Sequence, residues 1–162
     1  RSGSGGLATL RPDRRTELAR QLRDVARRYQ WSLLDLGAGI DETVCIFAAA
    51  AATCLVLCTN EPTALTDAYA FIKLMRRNHN ASDVRIVVNQ APTHEAGART
   101  FETLRRSCQS FLKFTPQLLG VVRFDGRVAD SIRHQTPLLT RHPTSHAAAD
   151  VEDIAARLIA QS

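Results

Sequence analysis

Four short stretches place a polar or charged residue directly after an apolar run: Asp35 in LLDLGAGIDE, Asn60 and Glu61 in TNEP, Asn89 in IVVNQA, and Arg123, Phe124 and Asp125 in VVRFD. An aspartate at the tip of an apolar strand, followed by Gly37-Ala38-Gly39, has the layout of a nucleotide-site acid. Such a carboxylate can hold Mg²⁺ directly or through water, and small residues beside it let the backbone approach a γ-phosphate. The same pattern also serves as a plain turn cap. Asn89 reads equally as a cap for the turn before Pro92, and Glu61-Pro62-Thr63 as a helix entry.

The remaining reactive residue types are sparse. Lys73 and Lys113 are the only lysines among 21 basic residues, so any chemistry that needs a lysine must use one of them. Lys73 falls late in a helical pattern, where a cation complements the helix dipole. Cys45, Cys54, Cys58 and Cys108 show no C-x-x-C spacing. Cys54 and Cys58 lie inside the apolar run TCLVLCT, where free cysteine behaves as a small hydrophobe. Reduced thiols are expected, as in cytosolic chains.

Two periodicities alternate around these candidates. Residues 11–29 carry Leu18, Leu22, Val25 and Tyr29 at helical spacing, with arginines between them. Residues 31–36 form a short apolar run of the kind seen in buried parallel strands. Asp41 and Glu42 open a helix that runs to about residue 52, and residues 53–59 read as a second strand. Thr63 is a candidate cap for a helix with Leu65, Ala68, Ile72 and Met75 on its stripe. Residues 84–89 read as a third strand. A long helix then begins at Pro92-Thr93, with Phe101, Leu104, Cys108 and Phe111 on one face, and Pro116 ends it. Residues 118–122 read as a fourth strand, and residues 127–133 as a short helix. Ser145 can cap a last helix that buries Val151, Ile154, Ala155, Leu158 and Ile159. Strands and helices in this alternation predict an α/β fold, a parallel sheet with helices on both faces. In such sheets ligands bind at the carboxyl ends of the strands, where all four polar stretches fall.

The chain has 162 residues, 44% apolar and 23% charged, which excludes a disordered or fibrous polypeptide. Residues 1–10 are glycine- and serine-rich and read as a flexible lead-in; residues 11–162 read as one domain. The longest apolar stretch, residues 45–58, is too short to span a bilayer. Residues 1–30 hold eight arginines against Asp13, Glu17 and Asp24, which accounts for the whole formal charge of +5. Basicity is therefore local to one helix.

Taken together, DLGAGI, TNEPTALTDAYAFIKLM, IVVNQA, LLGVVRFD and HPTSHAAADVEDIAARL resemble the MinD/ParA family of P-loop ATPases. Within it the chain is similar to the flagellar-number regulators of the FlhG/FleN type, most clearly over residues 61–73. The resemblance implies a role for each matching position. Asp35 would be the acid of the second switch, helping to hold Mg²⁺, and Gly37 and Gly39 its flexible backbone. Asn89 would meet the adenine edge. Arg123, Phe124 and Asp125 would form the loop around the base, where relatives commonly carry a proline. Asn60, Glu61 and Pro62 would lie on a dimer face near the nucleotide. Leu36 departs from the family, which often has Ser or Thr after the aspartate.

The glycine-rich loop of this family needs a lysine after its glycines, and neither lysine here follows a glycine. Gly3-Ser4-Gly5-Gly6 has the glycines without the lysine. The resemblance thus implies the C-terminal portion of a longer ATPase, with ATP or ADP and Mg²⁺ bound by the complete protein and no hydrolysis by this chain alone. Open strand edges would then drive self-association or poor solubility. The implied partners are a second copy, and a flagellar transcription activator or switch-ring proteins. The implied location is the cytoplasm, with contact to the inner membrane left open. Two alternatives stand beside this reading. One is a ParA-type partitioning ATPase. The other is a non-catalytic module using Arg14, Arg15, Arg20, Arg23, Arg27 and Arg28 to contact DNA or acidic lipid.

Overall fold

The structure, a computed structural model, describes residues 11–78 and 83–161. The expected lead-in, residues 1–10, lies outside the described residues. The chain divides into two compact units. One comprises the chain up to Cys54 together with Ala70–Val84, the other Leu55–Tyr69 and the chain from Arg85 onward.

In the first unit, helix α1 (Pro12–Ala26) packs along α2 (Glu42–Ala50). Asp41 caps α2 by accepting from the Val44 amide at 3.1 Å, as an acid at a helix start should. Two arginines of α1 serve this pairing: Arg15 meets Glu42 at 3.5 Å, and Arg23 Nε donates to the Ala50 carbonyl at 3.1 Å. Arg20 pairs with Glu17 and Asp24 on its own helix. Cys45, Ala48 and Met75 form a buried cluster with Leu36, Cys54, Phe71 and Leu74 packed against it.

Two expectations fail here. The stripe Leu18, Leu22, Val25 and Tyr29 is not a buried face: Ala19 is buried, whereas Val25 and Tyr29 are exposed. Residues 31–36 are not a strand. They run without regular pairing, with Leu33 88% exposed and only Leu36 packed against the cluster. A strand exists only where a neighbour completes its hydrogen-bond ladder, and no strand among the described residues lies alongside this one.

The second unit holds most of a three-stranded sheet in the order β1 (Thr53–Cys58), β2 (Asp83–Ala91), β3 (Gln117–Arg123), with β2 and β3 parallel. Ile86 and Val88 on β2 are fully buried. Helices cover both faces of β3, and two glycines show how closely. A Cβ on Gly97 of α4 (His94–Ser107) would overlap Val121, and a Cβ on Gly120 would overlap Ile154 of α7 (His146–Ala160). Residues 120 and 121 point to opposite faces of a strand. So α4 and α7 flank the sheet from opposite sides, as expected for an α/β fold.

Helix α3 (Pro62–Asn78) starts at Pro62 rather than after a Thr63 cap. Its first turn closes through the Leu65 amide onto the Glu61 carbonyl at 3.1 Å. Proline fits the first helical position because its fixed φ and missing N–H cost nothing there. Helix α4 runs into a π-helical turn (Cys108–Leu112), capped by Lys113 at φ 52°. The extra residue per turn rotates Phe111 off the buried face, leaving it exposed, while Leu104 and Cys108 stay inside as expected. Two short helices follow β3: α5 (Gly126–Arg133) and α6 (Leu138–Arg141). On α7, Ile154 and Leu158 are partly buried, whereas Val151, Ala155 and Ile159 are exposed and Ala147, Ala148 and Asp150 are buried in their place.

Candidate functional site at the ends of β2 and β3

Two apolar strands end side by side, and their last residues diverge into polar loops. Ala91 of β2 is in register with Arg123 of β3, and the Phe124 amide continues the pairing onto the Ala91 carbonyl at 2.8 Å. Beyond this point Thr93 caps α4 and Asp125 caps α5. The result is a polar cleft of about 350 Å³ lined by Pro92, Thr93, His94, Glu95, Arg123, Phe124 and His146.

The walls are fixed by carboxylates. Asp125 accepts from the Arg127 amide at 2.9 Å and from the Ala147 amide at 3.4 Å, and the Arg127 bond leads in holding its pKa below the ordinary value. Asp150 is buried on α7. Burial alone would raise its pKa, but the Arg123 guanidinium, the Arg123 amide and His94 outweigh that and hold it at about 2. Arg123 grips Asp150 with both Nε and Nη2 at 2.9 Å, and its own amide adds a third bond at 2.9 Å. His94 Nε2 donates to Oδ1 of the same carboxylate at 2.9 Å. On α5, Asp130 collects Arg141 Nε at 2.6 Å and His142 Nε2 at 2.8 Å. These two bonds hold its pKa well below the usual carboxylate range.

Of the sequence-predicted residues, Arg123 and Phe124 line this cleft, and Asp125 caps the helix that follows. Asn89 lies at the end of β2 but does not line the cleft. Its Oδ1 accepts from the Gln90 amide at 2.9 Å, inside an irregularity of the ladder between Val88 and Ala91 that places Gln90 at φ 57°. Asn60 is held by Thr100 of α4, whose Oγ1 donates to Asn60 Oδ1 at 3.1 Å. Glu61 is exposed. Pro62 lines a different, largely apolar groove of about 510 Å³, with Leu65, Tyr69, Leu104 and Phe111. Asp35, Gly37 and Gly39 belong to the first unit and lie on exposed chain, with Gly39 at φ 137°, a backbone state open to glycine.

Sequence reasoning missed His94, His146 and Asp150. Asp150 left one signal: an acid three residues after Ala147 and four before Ile154, on the buried stripe of a helix. Its partner is 27 residues away, on another element.

All four cysteines are free, and burial pushes the Cys54 and Cys108 thiols up to about 11. Among the described residues no group of His, Cys, Asp or Glu could hold a metal ion on its own, and no helix is long and apolar enough to cross a membrane.

Comparison with known proteins bears on the family and the fold. The model of the cellulose biosynthesis protein BcsQ family matches residues 6–159. The antiactivator FleN of Pseudomonas aeruginosa is 29% identical over 157 residues, covering 97% of this chain and 56% of that protein. The flagellum site-determining protein YlxH of Helicobacter pylori is 25% identical over 130 residues, covering 80% of this chain and 44% of that protein. The chain thus spans about half the length of the curated relatives it matches. Among solved structures, MinD of Aquifex aeolicus superposes with a TM-score of 0.69 at 19% identity, covering 93% of this chain and 61% of that one. The cell division ATPase MinD of Pyrococcus furiosus gives 0.72 at 15% identity, with coverage of 91% and 59%. At these identities the structures show a shared fold.

Proposed function

The chain belongs to the cellulose biosynthesis protein BcsQ family, of MinD/ParA type, and from that premise we propose that it is the C-terminal portion of a MinD-like ATPase that regulates flagellar number. The cleft at the ends of β2 and β3 carries this reading. It has the polar rim, exposed aromatic ring and helix starts that suit a nucleobase and its ribose, at the strand ends where α/β sheets bind ligands. Similarity to the antiactivator FleN and to the flagellum site-determining protein YlxH favours flagellar control over plasmid partitioning. Three of the six arginines proposed for DNA or lipid, Arg15, Arg20 and Arg23, have partners within the chain, which favours the nucleotide reading over a basic interaction module.

In the complete protein ATP binds with its base in this cleft. Asp35 would help hold Mg²⁺ through water, and Gly37 and Gly39 would supply a backbone that can rearrange between nucleotide states. Asn89 turns from Gln90 to the adenine edge. Asn60, Glu61 and Pro62 face a second copy, and ATP drives this dimerisation. The dimer acts in the cytoplasm on a flagellar transcription activator or on switch-ring proteins. This chain alone lacks a lysine-bearing phosphate loop and does not hydrolyse ATP.

Light scattering on the complete gene product tests the proposal. ATP with Mg²⁺ should double its mass, ADP should not, and Asp35→Ala should abolish the change. A mass that ignores nucleotide sinks the switch. ATP turnover by the 162-residue chain, lost on Asp35→Ala, overturns its assigned inactivity.

A further inference from the structure

Asp150 has a side chain that is 2% exposed. A carboxylate cannot stay charged in that position without donors. It has four at 2.9 Å: the Arg123 amide, Arg123 Nε, Arg123 Nη2 and His94 Nε2. They saturate the acceptor sites of a carboxylate. One group on α7 therefore ties the end of β3 to the first turn of α4, which are the two walls of the cleft. The neighbours of this clamp are equally fixed. The Phe124 amide is bonded to Ala91, and Asp125 is bonded to the Arg127 and Ala147 amides. Between these anchors Phe124 is left 69% exposed on the cleft rim. An aromatic ring held out in water on a pinned backbone contributes little to the fold. Its surface suits a flat π-face.

We propose that Asp150 is a positioning residue for nucleobase recognition: by clamping Arg123 and His94 it sets the separation of the cleft walls and presents Phe124 to stack on the base. This rests on the nucleotide reading of the same cleft. Arg123 is then held for its fork geometry, which lysine cannot reproduce.

The test titrates the complete gene product with ADP carrying a ribose-linked fluorophore and, separately, with pyrophosphate, and records Tm. Asp150→Asn should weaken ADP about tenfold, the loss expected from one aromatic–base stack, and leave pyrophosphate unchanged. Arg123→Lys should do the same. Phe124→Leu should match that loss at an unchanged Tm, and the Asp150→Asn, Phe124→Leu double variant should lose no more than either single one. Should Asp150→Asn fail to fold, Arg123→Lys decides the matter. The inference is overturned if folded variants bind ADP as the wild type does, if ADP and pyrophosphate weaken by the same factor, or if the double variant loses the product of the two. A wild-type protein that binds no ADP overturns the nucleotide reading as well, whereas wild-type binding with unaffected variants overturns this inference alone.

Discussion

Residues 31–36 and residues 84–91 are both short apolar runs carrying a polar residue near their ends, Asp35 in one and Asn89 in the other, and they fold differently. The second becomes a central strand with Ile86 and Val88 fully buried. The first stays unpaired, with Trp31, Leu33 and Leu34 exposed. Side-chain composition does not separate them. A neighbour does: β2 has β1 on one side and β3 on the other, and residues 31–36 have no strand beside them among the described residues. An apolar run is a capacity to form a strand, and the ladder that realises it comes from elsewhere in the chain or from outside it.

Substitutions in the two runs should differ accordingly. Ile86→Ala should cost about 3 kcal/mol in chemical denaturation, as expected for a fully buried aliphatic side chain. Leu33→Ala, the same kind of truncation in the other run, should stay within about 0.5 kcal/mol. An equal loss at both would show that residues 31–36 are packed in solution and would break the comparison.

The cleft end of the second run should respond to acid. Asp150 has a folded pKa of about 2, below its ordinary 3.8. Its contribution is therefore present above about pH 4 and is lost as the pH falls toward 2, about 2 kcal/mol in all. Stability measured from pH 7 down to pH 2 should decline in that window, and Asp150→Asn should flatten the slope. Glu102, held at about 2 by Arg105 and Arg106, titrates in the same range, so the comparison with the variant isolates Asp150.

Gly120→Ala should cost about 2 kcal/mol, because the added methyl overlaps Ile154 where α7 crosses β3. Its counterpart in the first unit, Gly37→Ala, has open space around the new Cβ and should change stability little. The smallest effect has the opposite sign. Gln90 sits at φ 57°, so Gln90→Gly should raise stability by about 1 kcal/mol.

Much of this architecture was legible in the residues. Asp41, Thr93 and Ser145 cap helices because their side chains satisfy otherwise unpaired amides. The runs around Val56, Ile86 and Leu119 became strands because each found a neighbour. Three features were not legible, each for a physical reason. Phe111 turns outward because a π-helical turn breaks the 3.6-residue spacing that a sequence pattern assumes. Residues 31–36 needed knowledge of a partner that their own composition does not carry. At the cleft, Arg123, Phe124 and Asp125 could be placed at a strand end, but the acid that fixes Arg123 lies on another element, and no local spacing connects them. Asp150 on the buried stripe of α7 was the one visible sign that such a partner was required.

Hydrogen exchange of the complete gene product, with and without ADP, tests most directly the claim that the ends of β2 and β3 form the base end of a nucleotide site. Protection should rise at residues 92–95 and 123–125 on adding ADP, while the already buried interior of β2 should change little. Bound ADP with no added protection at residues 92–95 and 123–125 would contradict the account.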